Sequence, residues 1–213
     1  MKTFFILPLL LAATPALAES GPKTDWGQGA DDAAFAAMIK SSFHDKGIAT
    51  LARLDQDSTQ AFCSDPARAT GASKEAVEAR EKIEAENLAT IKWPADNTWL
   101  GDWKKGEAVA QSGRGLTSSD KADGVRGGNC YNCHQISKQE IAYGTIGPSL
   151  WNYGKIKGDA PETLRYTWGK IYNSKAYNAC SNMPRGGHMG ILSEDQIRDL
   201  MALLLHPQSP VNQ

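Results

Sequence analysis

Cys130, Cys133 and His134 lie within five positions of one another, in the stretch GNCYNCHQ. Two thiols three apart, followed at once by an imidazole, form the C-x-x-C-H arrangement that attaches a c-type haem in exported chains. One helical turn between the cysteines lets both sulfurs face one edge of a porphyrin and bond its vinyl groups. His134, next along the backbone, can then offer a ring nitrogen to the iron, so tether and ligand come from one short segment. Three other chemistries use these residue types. A thioredoxin-like redox pair needs a βαβ setting around its C-x-x-C, and no alternating strand pattern is visible here. A structural zinc site needs four ligands, and no second C-x-x-C or H-x-x-x-H accompanies this one. A plain disulfide framework fits the cysteine count alone.

The compartment bears on that choice. The chain begins MKTFFILPLLLAATPALAES, with Lys2 before an apolar run from Phe4 to Ala13 and then Ala16-Leu17-Ala18. That is the pattern of a cleavable secretory signal peptide over residues 1–18, with the mature start near Glu19. The run falls short of the roughly 20 residues that cross a bilayer, so the expectation is a periplasmic protein with no membrane insertion. In an oxidising compartment thiols are expected to be paired or occupied. The two remaining cysteines, Cys63 and Cys180, then read most simply as one disulfide pinning the N-terminal region to the loop before Met183. Closing so long a loop contributes about 4–5 kcal/mol in the chain-entropy model. A free thiol on each is the other reading.

Haem iron in an electron carrier takes a second axial ligand, often methionine. Beyond the leader the candidates are Met38, Met183, Met189 and Met201. Met38 and Met201 fall on apolar helical stripes and read as core. Met183 sits in SNMPRGG, where Pro184 pushes it toward an extended backbone suited to projecting from a loop. Met189, and His188 in a bis-histidine arrangement, remain open beside it. Gly147-Pro148 can turn the chain back under the proximal side, where the Pro148 carbonyl would accept the other ring N–H of His134; an ordinary Gly-Pro turn is the alternative. Trp151, Trp168, Tyr172 and Tyr177 are candidates to wrap the porphyrin, and Trp168 or Arg185 to reach a propionate. His44 and His206 fall at helix ends, where solvation or the helix dipole accounts for them.

The elements that must position these residues read as helices. Asp32 can cap a helix bearing Phe35, Met38, Ile39 and Phe43, and a short second one covers Ile48 to Leu54. Ser73 can cap SKEAVEAREKIEAENLATIK, which has strong helix propensity but a thin apolar face of Val77, Leu88 and Ile91. Asp102 caps a helix through Gln111. The last is the clearest: Ser193 and Gln196 form a capping box, and Ile197, Leu200, Met201 and Leu204 follow helical spacing to Pro207. The chain therefore reads as all-α. A boundary at Trp93-Pro94 divides a helical N-terminal extension, 19–93, from a haem domain, 94–213. The formal net charge of −1 gives no electrostatic footprint for nucleic acid.

The run WLGDWKKGEAVAQSGRG, GGNCYNCHQ, GTIGPSLWNYG and NMPRGGHMGILSEDQIRDLMALLL resembles the SoxX family, monohaem c-type subunits of periplasmic SoxAX complexes, over roughly Trp99 to Leu205. The combination of W-K-K-G-E, S-G-R-G and N-M-P-R is far more specific than C-x-x-C-H alone. The resemblance implies a class I cytochrome c fold with its first and last core helices crossing. It implies one covalent haem c, with His134 and Met183 as axial ligands. It implies a SoxA-like partner in a heterodimer, a SoxYZ-like carrier protein, and a soluble cytochrome c as electron acceptor. The joint activity would be that of an L-cysteine S-thiosulfotransferase, with the sulfur chemistry on the partner. A free-standing electron shuttle of a respiratory chain is the alternative. The extension 19–93 resembles only the longer members.

Overall fold

A computed structural model describes residues 32–213 of the chain. The signal peptide expected over residues 1–18 and the lead-in up to residue 31 lie outside the described residues. Eight α-helices follow: α1 (Asp32–Ser42), α2 (Ser58–Cys63), α3 (Pro66–Ala69), α4 (Lys74–Leu88), α5 (Trp103–Gln111), α6 (Tyr153–Lys157), α7 (Pro161–Tyr172) and α8 (Glu194–Leu205). Short 3-10 turns occupy Leu51–Leu54, Cys130–Asn132, Ser174–Ala176 and Pro210–Asn212. Among the described residues the only extended pairing is an isolated bridge between Lys46 and Ala49. The protein is all-α.

The helix starts follow local chemistry. The side-chain oxygens of Asp57, Ser73, Asp102 and Ser193 accept the first free N–H groups of α2, α4, α5 and α8, satisfying donors that have no partner within the helix. At Asp57 and Ser193 a glutamine three residues on closes a reciprocal capping box. α8 buries Ile197 and every residue from Leu200 to Leu205. Each fully buried leucine or isoleucine contributes about 1.5–3 kcal/mol, which makes α8 the spine of the molecule.

α5 crosses α8 at very close range. A Cβ on Gly106 would lie 2.1 Å from the Asp199 carbonyl oxygen and 3.0 Å from the Leu203 Cβ. Gly101 N–H donates to the Arg198 carbonyl at 2.9 Å, and Asp102 N–H to the Asp199 carboxylate at 2.8 Å. These contacts set where α5 ends, and α5 leads into the cysteine motif.

Three packing expectations change. Met38 is 49% exposed, because α1 leaves much of its surface in solvent, with Phe35 and Ile39 half-buried. α4 lies at the surface, as its thin apolar face implies, and Ile91 beyond it is buried, but its inward face is carried by Ala76 and Asn87 while Val77 and Leu88 are exposed. α4 faces inward with an asparagine because buried Asn173 donates to the Asn87 side-chain oxygen at 2.9 Å. The third is an added element: α7 opens with Pro161 at its first turn. Around Trp93 the chain is bound into the core: the Trp168 indole N–H donates to the Lys92 carbonyl at 2.9 Å, and Trp99 meets Trp93 and Trp168 ring to ring.

Candidate haem site

The cysteine motif is held by the end of α5. Gly128 N–H donates to the Val109 carbonyl at 2.8 Å and Asn129 N–H to the Ser112 carbonyl at 3.0 Å. Asn129 then takes a left-handed backbone, φ +51°, and opens the 3-10 turn Cys130–Asn132. In such a turn residues three apart eclipse one another, so Cys130 and Cys133 stand on the same side. Cys133 N–H and His134 N–H both return to the Cys130 carbonyl, at 3.1 and 3.0 Å. The two thiols are not bonded to each other. Burial, with a small addition from Cys133, pushes the Cys130 thiol up to about 11. That is opposite to the lowered thiol of a redox C-x-x-C. No cluster of three metal-ligating His, Cys, Asp or Glu side chains exists among the described residues, so the zinc alternative finds no ligand set there.

His134 is fixed from two sides. Its Nδ1 lies 2.7 Å from the Pro148 carbonyl oxygen. A carbonyl only accepts, so Nδ1 carries the hydrogen, which in the neutral ring leaves the lone pair on Nε2, the tautomer of a metal-ligating histidine. The ring rests on Gly147, where a Cβ would stand 2.2 Å from Cε1. Gly147 N–H also donates to the Cys133 carbonyl at 2.8 Å, locking the proline loop to the motif. Beyond Pro148 lies an open, largely apolar depression lined by Leu150, Tyr153, Ile156 and Tyr166 among others, which none of Cys130, Cys133, His134 and Met183 lines.

The three distal candidates are placed differently. Met183 is half-buried and packs on the main core cluster, as do Cys130, Leu150 and Tyr153. Met189 is 55% exposed. His188 is exposed, and its Nδ1 lies 3.1 Å from the Thr90 hydroxyl. Thr90 gives its own proton to the Asn87 carbonyl, so His188 Nδ1 is the donor. Burial, then the charge of Arg185, lowers the pKa of His188 against an opposing pull from Asp57. Ser174 hydroxyl donates to the Met183 carbonyl at 2.6 Å, which sets the turn from which Met183 projects.

Two suggested propionate partners are committed elsewhere. Trp168 is fully buried with its N–H on Lys92. The Arg185 guanidinium donates to Asp57 at 2.5 Å with its side chain only 10% exposed. Tyr172 is buried, whereas Trp151 and Tyr177 are half-buried. Cys63 and Cys180 form a disulfide with a Cα–Cα distance of 5.3 Å. His44 is exposed, and His206 caps the end of α8. Sequence reading passed over Asp57, Glu84 and Asn173, though the D-S-T-Q capping box at Asp57 was visible as a signal.

Residues 104–207 match the family model for cytochrome c. A protein named "Uncharacterized lipoprotein" from Aquifex aeolicus (strain VF5) is 40% identical over 158 residues, which is 74% of this chain and 73% of that protein. Residues 104–207 thus form a cytochrome c domain. Such a domain implies electron transfer through covalently bound haem c. The residues present fit that group: unpaired thiols side by side on one turn, an imidazole whose Nδ1 is engaged by a carbonyl, and a half-buried methionine packed on the same core cluster as Cys130. Among the described residues no helix is long and apolar enough to cross a membrane.

Proposed function

We propose that this chain is an exported monohaem cytochrome c, the electron-transfer subunit of a SoxAX-type L-cysteine S-thiosulfotransferase. Cys130 and Cys133 are the thioether tethers, His134 Nε2 is the proximal ligand and the Met183 sulfur the distal one. Haem held by these residues would supply reversible one-electron chemistry. The Pro148 carbonyl keeps His134 in one tautomer and raises its basicity. The observation that carries the reading is the His134–Pro148 bond beside two unpaired thiols.

Joining thiosulfate to a carrier cysteine thiol forms a sulfur–sulfur bond, frees one proton and releases an electron pair. The sulfur step belongs to a SoxA-like partner, and the carrier is SoxYZ-like. This chain takes the electrons singly and passes them to a soluble cytochrome c. Support for the subunit role comes from the sequence motifs and from Ile141, Tyr143 and Ile146. These exposed apolar residues lie on the loop that wraps Cys133, as a docking surface requires. Support for export comes from the leader, the disulfide and the lipoprotein relative; the first cysteine of the present chain is Cys63. The test is purification from the periplasm. Co-purification with a second haem subunit, and haem reduction dependent on both thiosulfate and carrier, is expected. A strictly monomeric holoprotein that feeds a terminal oxidase directly would make it a free-standing shuttle.

A further inference from the structure

The family match begins at residue 104, yet the loop bearing Met183 is tied on both sides to residues that precede it. Upstream of Met183, Cys180 is bonded to Cys63, the last residue of α2. Ala179 N–H donates to the Glu84 carboxylate of α4 at 3.0 Å. Downstream, Arg185 donates to Asp57, the same carboxylate that caps α2, and His188 donates to Thr90. At the root of the loop, Asn173 is fully buried and donates to Asn87 and Thr90 at 2.9 and 3.0 Å. Met183's own polar contacts are local, to Ser181 and Ser174.

The charges make the arrangement one-sided. Arg185 and Lys175 are both nearly buried, with Lys175 6% exposed, and Asp57 is the carboxylate that faces both. Without Asp57 two desolvated cations flank the loop unopposed, which favours its opening. We propose that the segment 57–90, outside the family match, positions Met183 on the distal face by bracing its loop, so that methionine and not a small exogenous ligand holds that position. Asp57, Glu84, Thr90 and the Cys63–Cys180 bridge are its positioning groups. The proposal rests on Met183 being the distal ligand.

Local loop opening is separable from global unfolding and is read by the rate at which cyanide enters ferric holoprotein. Asp57→Asn and the double variant Cys63→Ser/Cys180→Ser are compared with wild type and with Ile197→Val, a core substitution in α8 that removes none of the bracing groups. Denaturant concentrations are adjusted so that the variants match in global stability. The expected result is cyanide entry about tenfold faster or more in both brace variants, a weakened long-wavelength Met–Fe(III) band, and no rate change for Ile197→Val. Equal rates in brace variants and wild type, or equal acceleration by Ile197→Val, would overturn the brace. Met183→Ala keeps the two readings apart: loss of the band with fast cyanide entry supports Met183 as ligand whatever the brace variants do. A retained band in that variant would remove the ligand assignment, and the brace with it. Should the double variant fail to mature, Asp57→Asn and Thr90→Val carry the comparison alone.

Discussion

Gly147→Ala tests the proximal half of the site. Gly147 does not adopt the left-handed backbone, so alanine introduces no torsional penalty and acts only through its methyl group. That methyl would stand 2.2 Å from His134 Cε1, 2.5 Å from Nδ1 and 2.7 Å from Nε2. Carbon contacts settle at about 3.5–4.0 Å, so the ring must retreat by about 1 Å or more. The Nδ1–Pro148 bond, 2.7 Å long, is then stretched past the roughly 3.2 Å limit of a good N–H···O bond. Its loss costs about 0.5–1.5 kcal/mol, and overpacking adds about 1–3 kcal/mol, for a total of about 1.5–4.5 kcal/mol. Urea unfolding of holoprotein should show that loss with an unchanged slope. An imidazole without its carbonyl partner is less basic, so the reduction potential should rise. A variant within about 0.5 kcal/mol of wild type, with an unchanged potential, would refute the assigned contact between Gly147 and His134.

Three further outcomes are expected. Gly106→Ala places a methyl 2.1 Å from the Asp199 carbonyl and should lower the urea midpoint by the equivalent of about 1–3 kcal/mol, with the α5–α8 crossing as the element disturbed. For Asp57, burial alone would raise the carboxyl, but the Gln60 N–H and Arg185 outweigh it and hold it low. Its contribution is therefore complete above about pH 4 and is lost as pH falls through the lower folded value. Asp57→Asn should cost about 1–2 kcal/mol at neutral pH, below the full range for a charged hydrogen bond because Asp57 is 40% exposed, and the gap from wild type should close in acid-unfolding curves. Replacing Cys63 and Cys180 by serine removes a cross-link spanning 117 positions and should cost up to about 5 kcal/mol, read as a lowered thermal midpoint; an unchanged midpoint would mean that the bridge constrains nothing.

The parts of this molecule governed by short-range rules were legible in sequence. The capping box at Ser193, the periodic stripe of α8 and the C-x-x-C-H turn depend on residues a few positions apart, and each is found in the fold. α7 escaped notice because PETLRYTWGKIY mixes β-branched, aromatic and glycine residues of weak helix propensity. Its glycine answers a tertiary demand: a Cβ at Gly169 would stand 2.2 Å from the Tyr177 hydroxyl. Met38 shows the converse, a residue at helical spacing that the fold leaves 49% exposed. The assignment of Arg185 to Asp57, 128 positions away, had no local signal beyond the cap at Asp57, since a charge carries no mark of the partner it folds against. The Cys63–Cys180 pairing needed only compartment and count.

The central claim is a covalent haem on Cys130 and Cys133, and denaturing mass spectrometry of the purified mature protein addresses it most directly. The account predicts a mass equal to the polypeptide plus one haem, with the adduct on the peptide containing GNCYNCHQ and no alkylation of Cys130 or Cys133 after reduction. A mass equal to the bare polypeptide, with both thiols open to alkylation, would contradict it.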